Sequence, residues 1–220
     1  MKLIESLKIK EKVYIEKLEN GLTVMLIPKN TTNKKYAIWG THFGSIDNHF
    51  IMPNTKEEVY VPDGVAHFLE HKMFEMENGE DPMTLYSNNG ASSNAYTTSN
   101  VTRYYFTGAT HFYENLQILF DCITNPYFTE ENIKKEQGII TQEINSGLDD
   151  PDQAIYYLAN KNLFIDHPHQ YMIAGTVDSI SKLTPEILYD CYNTFYHPSN
   201  MYVVITGNVD VKKTINFIKK

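Results

Sequence analysis

Residues 65–74 read VAHFLEHKMF, and this stretch marks where the periodicity of the chain changes. Val65, Ala66, Phe68, Leu69, Met73 and Phe74 recur at helical spacing, whereas the preceding segments alternate as strands do. Asp63 stands where a side chain can cap the new helix. Upstream, residues 13–29 (VYIEKLENGLTVMLIPK) predict two strands joined at Glu19-Asn20-Gly21, because Asn-Gly between alternating apolar residues favours a tight hairpin. Residues 35–46 (KYAIWGTHFGSI) predict another strand, with Gly40 and Gly44 marking bulges or close backbone approach. A polar loop then leads to Pro62-Asp63-Gly64.

Downstream, a helix over 81–89 ends at Gly90, a natural residue just past a helix terminus. Residues 91–108 (ASSNAYTTSNVTRYYFTG) are rich in Thr, Tyr and Ser and predict one or two strands. An amphipathic helix over 111–125 stops at Asn125-Pro126. The longest helix spans 130–147, with Thr129 as N-cap; Asn132 occupies the position where a capping box wants Glu or Gln, which leaves the box incomplete. Helices over 151–163 and 184–195 follow, then a strand in MYVVITGNVD. Strands, a block of helices and a return strand predict an α+β fold, a largely antiparallel sheet covered on one face by helices. Residues 1–220 read as one domain.

Composition narrows the function classes. With 42% apolar and 13% aromatic residues, the 220-residue chain can build a sizeable core. A net charge of -8 argues against a nucleic-acid partner held through phosphates. No apolar run approaches the ~20 residues of a membrane-spanning helix. The N-terminus carries neither an apolar leader core nor the acid-poor composition of a transit peptide, so a soluble, cytoplasmic protein is expected. Cys122 and Cys191 form no disulfide framework or CxxC site; Cys122, within LQILFDCI, reads as a buried thiol.

The chemistry lies in His67-Phe68-Leu69-Glu70-His71. At ~100° per residue, His67 and His71 fall ~40° apart on one helix face, so two imidazoles can converge on one metal ion. Glu70 projects near the same face and can take a proton from a metal-bound water. Such a trio also arises as a solvated polar stripe, but the apolar flanks speak against this, since a buried helix holds two His and a Glu only if they are paired or ligated. A catalytic zinc needs a third protein ligand. Glu136 and Glu143, seven residues apart on the long helix, return to one face within ~20°. Either could ligate while the other supports the site.

The stretches GVAHFLEHKMFE, GASSNAYTTSNVTRYYF, NPYFTEENIKKEQGIITQEI and FYHPSNMYVVITGNVD together resemble the pitrilysin/insulinase (inverzincin) peptidases over essentially the whole chain. The bacterial cytoplasmic subgroup is the nearest in look. The resemblance implies a mitochondrial-processing-peptidase-like metallohydrolase fold and one Zn2+ per chain. It makes His67, His71 and Glu143 the ligands, Glu70 the general base and Glu136 a supporting residue, with Glu136 the fallback ligand. It also implies that Asn94, Ala95 and Tyr96 lie on a strand that binds the peptide substrate by strand addition. Family members have two homologous domains, so residues 1–220 would be the N-terminal catalytic half, paired with a C-terminal half or a related subunit. The stop within VKKTINFIKK fits an incomplete polypeptide.

Other histidines, including His167 and His169 in a Pro-bearing loop, read as surface residues. Arg103 and Tyr104 could line the cleft or simply pack. Two rival readings face the same residues. A thioether-cleaving lyase with a similar pentad needs a Cys ligand, and neither Cys lies near the 136–143 helix. A non-catalytic structural or partner subunit typically loses the pentad or the downstream Glu, and both are intact here.

Overall fold

A computed structural model describes residues 1–219 of the chain. Seven strands form one sheet: β1 (Lys2–Ser6), β2 (Glu11–Lys17), β3 (Thr23–Pro28), β4 (Lys35–Thr41), β7 (Ala91–Thr97), β8 (Thr102–Gly108) and β9 (Met201–Gly207). A separate hairpin is made by β5 (His49–Ile51) and β6 (Glu58–Tyr60). The order across the sheet is β1-β2-β3-β9-β4-β8-β7. All pairs are antiparallel except β3–β9, where the return strand lies parallel to β3.

Alternation seals one face of this sheet. Val24, Leu26, Ala37, Trp39, Tyr104, Phe106, Val203 and Ile205 are buried and share that face through the strand registers. The helices α1 (Val65–Lys72), α2 (Pro82–Asn88) and α3 (Phe112–Thr124) pack there. Phe120 of α3 meets Trp39 edge-on at 4.8 Å, and Tyr86 of α2 stacks on Phe106. The long α4 (Glu130–Asp149) crosses α1 and continues into α5 (Pro151–Leu163). The short α6 (Val177–Ile180), then α7 (Pro185–Phe195) and α8 (Val211–Ile218), complete the helices. None of the described helices is long and apolar enough to cross a membrane.

The predicted elements are present, and several details differ. The supposed polar loop before Pro62 contains β5–β6, and the N-terminal residues form β1. Asp63 does not cap α1: Gly64 is the N-cap residue with φ 90° and no side-chain cap, while Asp63 Oδ1 accepts from Asn48 Nδ2 at 2.8 Å. A Cβ on Gly64 would sit 2.4 Å from the Ala174 carbonyl oxygen, so glycine is required on steric and conformational grounds. The capping box of α4 is complete, because Asn132 Oδ1 accepts the Thr129 N–H at 3.0 Å while Thr129 Oγ1 accepts the Asn132 N–H at 3.2 Å.

Candidate metal centre

The centre is assembled by α1, α4 and β7. Val65, Ala66, Phe68 and Leu69 bury α1 in the core, which turns His67, Glu70 and His71 toward α4 and the sheet edge. Ile133, Ile140 and Ile144 are buried on α4, and the opposite side of that helix is solvated. Glu136 and Glu143 flank this apolar stripe.

Glu143 faces both imidazoles: its carboxylate oxygens lie 3.5 Å from His67 Nε2 and 3.6 Å from His71 Nε2. The candidate ligand atoms of His67, His71 and Glu143 all lie within 4.8 Å of one another. Two ligands at ~2.1 Å from a tetrahedral ion are about 3.4 Å apart, so this donor set fits zinc with a fourth position open. His67 Nδ1 is buried without a hydrogen-bond partner among the described residues.

Glu136 serves differently. Its Oε1 lies 2.9 Å from His71 Nδ1, on the side of the ring away from Glu143. Glu136 is also the more enclosed of the two, with a side chain 13% exposed against 51% for Glu143. Burial disfavours the charged form of His71, but the hydrogen bond and charge of Glu136, with Glu70 and Glu143 behind it, outweigh that and raise its pKa above the ordinary value. Glu143 is held below the usual carboxylate range by its hydrogen bond to His67, against the opposing effect of burial.

Glu70 is 7% exposed. Burial pushes its pKa up, with Glu143 adding to the rise, while Thr97 and the two imidazoles pull it back in part. The Thr97 hydroxyl donates to Glu70 Oε2 at 2.5 Å. Sequence reading misses this contact, although Thr97 directly follows Asn94–Tyr96 and two-residue alternation puts it on the same face as Ala95. Lys72 was missed too: it is fully buried, pairs with Glu75 and donates to the Asn132 carbonyl, tying α1 to the start of α4.

A cleft of about 620 Å³ joins these groups. Asn94, Ala95, Tyr96 and Thr97 line it together with His67, Glu70, His71 and Glu143, as do Tyr157 and Met172–Ala174. β7 is the last strand of the sheet, so its outer edge is unpaired. On it, the Ala95 N–H donates to Asn94 Oδ1 at 2.8 Å. His167 and His169 lie outside this cleft, near Phe164. A larger concavity of about 790 Å³ lies beside Leu85, Ile118 and Tyr127, away from both imidazoles.

Known proteins resemble this chain in sequence and in fold. Residues 56–177 match the family described as insulinase (peptidase family M16), and residues 182–220 match the peptidase M16 inactive domain. The chain belongs to the M16 peptidase family. It is 46% identical over its whole length to the uncharacterized zinc protease YmfH of Bacillus subtilis, covering 51% of that protein. It is 33% identical to an uncharacterized zinc protease of Rickettsia felis, over 94% of this chain and 49% of the relative. An M16-like peptidase from Alicyclobacillus acidocaldarius superposes with a TM-score of 0.91 at 40% identity, over 95% of this chain and 49% of that one. Pitrilysin shares the fold, with a TM-score of 0.82 at 18% identity. The chain thus spans about half the length of these curated relatives.

Proposed function

We propose that residues 1–220 are the N-terminal, catalytic half of a zinc endopeptidase that hydrolyses peptide bonds in short, unstructured peptides. One observation carries this reading: Glu143 stands within 3.6 Å of the Nε2 atoms of both His67 and His71, with the carboxylate of Glu70 buried beside them. His67, His71 and Glu143 would hold one Zn2+, with Glu136 fixing the His71 ring through Nδ1. The ion, when bound, supplies a Lewis acid that polarises the scissile carbonyl and makes water more acidic.

The protein groups do the rest. Glu70 takes a proton from the attacking water and returns it to the leaving nitrogen. Its raised pKa suits both halves of that exchange, and the Thr97 hydroxyl on Oε2 leaves Oε1 to face the reacting atoms. The substrate lies along the free edge of β7 and pairs with the backbone around Ala95. A substrate carbonyl accepting the Ala95 N–H replaces the Asn94 side chain now on that donor. The wall facing away from β7 is supplied by a second homologous domain or a related subunit, as the length of the relatives supports.

The decisive experiment uses the full-length protein. Glu70→Gln should lower kcat by about 10²–10⁴ while zinc stays stoichiometric. His71→Ala should lose the metal as well as the activity. A Glu70→Gln enzyme with unchanged peptide cleavage, or a wild type that binds no zinc and cleaves nothing, would overturn the proposal; the second result is what a non-catalytic partner subunit gives.

A further inference from the structure

Of the 19 basic residues in the sequence, only Arg103 is an arginine. It sits on β8 in a row that crosses the sheet: Tyr96 on β7, Arg103, Gly40 on β4 and Tyr202 on β9 are successive register partners. The row lies on the face opposite the helices. Arg103 Nη1 donates to the Tyr96 hydroxyl and Nε to the Tyr202 hydroxyl, each at 2.6 Å. Its guanidinium carbon lies 5.6 Å and 6.0 Å from the two ring centres. Tyr202 reaches Arg103 by lying across Gly40, where a Cβ would stand 2.3 Å from the ring. Gly40 is therefore the residue that lets this clamp close.

The clamp contains no acid. Arg103 has no ion pair with a carboxylate among the described residues, although the chain carries 27 acidic residues against 19 basic ones. Two phenols hold the guanidinium in place and leave its charge uncompensated. Both hydroxyl oxygens accept from Arg103, so their own protons are directed elsewhere, as are the remaining N–H groups of the fork. Fixed donors around one cation suit a carboxylate, which a guanidinium can bind through two parallel hydrogen bonds.

The clamp also touches the metal cleft, because Tyr96 lines both. A peptide paired with the edge of β7 alternates its side chains. The residue opposite Ala95 points toward Glu70 and the imidazoles, and the residue opposite Tyr96 points to the clamp side. The added strand would lie ~5 Å from β7 and ~10 Å from β8, a gap that a glutamate and an arginine side chain bridge together.

We propose that Arg103, held by Tyr96 and Tyr202, is a specificity residue that recognises a glutamate side chain of the peptide substrate at the position opposite Tyr96. This rests on substrate pairing with β7 as put forward above. Beside a cleft lined by the acidic Glu70 and Glu143, it gives an acidic peptide one point of attraction on the other side of the β7 edge.

The test is kinetic and spectroscopic, on the full-length zinc-loaded protein. Two peptides differing only by Glu or Gln at that position should be cleaved with kcat/KM values about tenfold apart, in favour of Glu. Arg103→Gln should bring that ratio close to one and Arg103→Lys should keep part of it, whereas a purely structural Arg103 would lower both rates and leave the ratio alone. A wild-type ratio near one, or a ratio preserved in Arg103→Gln, overturns the proposal. A second readout does not depend on hydrolysis. In Glu70→Gln protein, the Arg103 Nε–H resonance, assigned by its loss in Arg103→Lys, should shift on adding the Glu peptide and stay in place with the Gln peptide. If neither peptide is cleaved, the peptidase reading fails, and an unmoved resonance then overturns the glutamate site separately.

Discussion

The two helices that meet at the candidate metal centre are built in opposite ways. α1 has eight residues, six of them buried, and begins at an uncapped glycine. It is too short to be stable alone, so packing must hold it. α4 has 20 residues, buries only five and starts with a complete capping box. It holds itself and leans on the core through one stripe. His67, Glu70 and His71 thus sit on the part of the site fixed by the interior, while Glu143, half exposed, sits on the part fixed by local interactions. His67, Glu70 and His71 are therefore placed by core packing, and Glu143 by a helix with one side in solvent.

The largest effect should separate the helices by how they are stabilised. Phe68 is fully buried on α1, and Leu148 near the end of α4 is 54% exposed. In metal-free protein, Phe68→Ala should cost about 3–5 kcal/mol. Leu148→Ala should stay within about 0.5 kcal/mol. Urea unfolding of both variants gives the comparison, and similar losses in the two would refute it.

A smaller effect tests the link between the helices. Glu136 on α4 orients His71 on α1, so Glu136→Gln should weaken zinc binding about 10–100-fold in a chelator competition. The same variant has a pH signature without metal. His71 has a folded pKa raised above its ordinary 6.5, so the stability it contributes is fully present below that pH and lost as pH rises through the folded value. Metal-free wild type should therefore lose part of its stability over that rise. Glu136→Gln removes the hydrogen-bonded charge that raises this pKa, and its profile should be flatter. Superimposable pH profiles would show that Glu136 does not govern His71.

What the sequence reveals follows the same division. Elements with one buried face, such as β3, β4, β9 and α3, are legible because burial imposes a period. β1 is not: four of its five residues are exposed, so no alternation marks it. β5 and β6 have three residues each, too few to display a period. At the site, spacing along one helix was enough to pair His67 with His71. It left Glu136 and Glu143 interchangeable, because both return to the same side of α4; only the crossing with α1 puts one against Nε2 and the other against Nδ1. Thr97 and Glu70 are 27 residues apart and meet through the packing of α1 on β7. Arg103 could be noticed as the lone arginine, but its clamp depends on a register across four strands.

The smallest effect concerns the start of α4. Asn132 does what Glu or Gln does in the usual box, and its shorter side chain also lets Nδ2 donate to the Tyr127 carbonyl at 3.0 Å. Its own carbonyl accepts from the buried Lys72. Asn132→Ala removes the side-chain bonds to Thr129 and Tyr127 but leaves Thr129 Oγ1 on the first turn and the backbone carbonyl facing Lys72. The expected cost is about 1 kcal/mol, the usual value of a cap. Asn132→Gln can restore the bond to the Thr129 N–H but must fit one more methylene into a site only 6% exposed, so it should recover less than the full loss. Thermal unfolding should rank wild type, Asn132→Gln and Asn132→Ala in that order. If Asn132→Ala were as stable as wild type, the Asn132 half of the box would contribute nothing to α4, and the contrast with α1 would rest on Thr129 and on length.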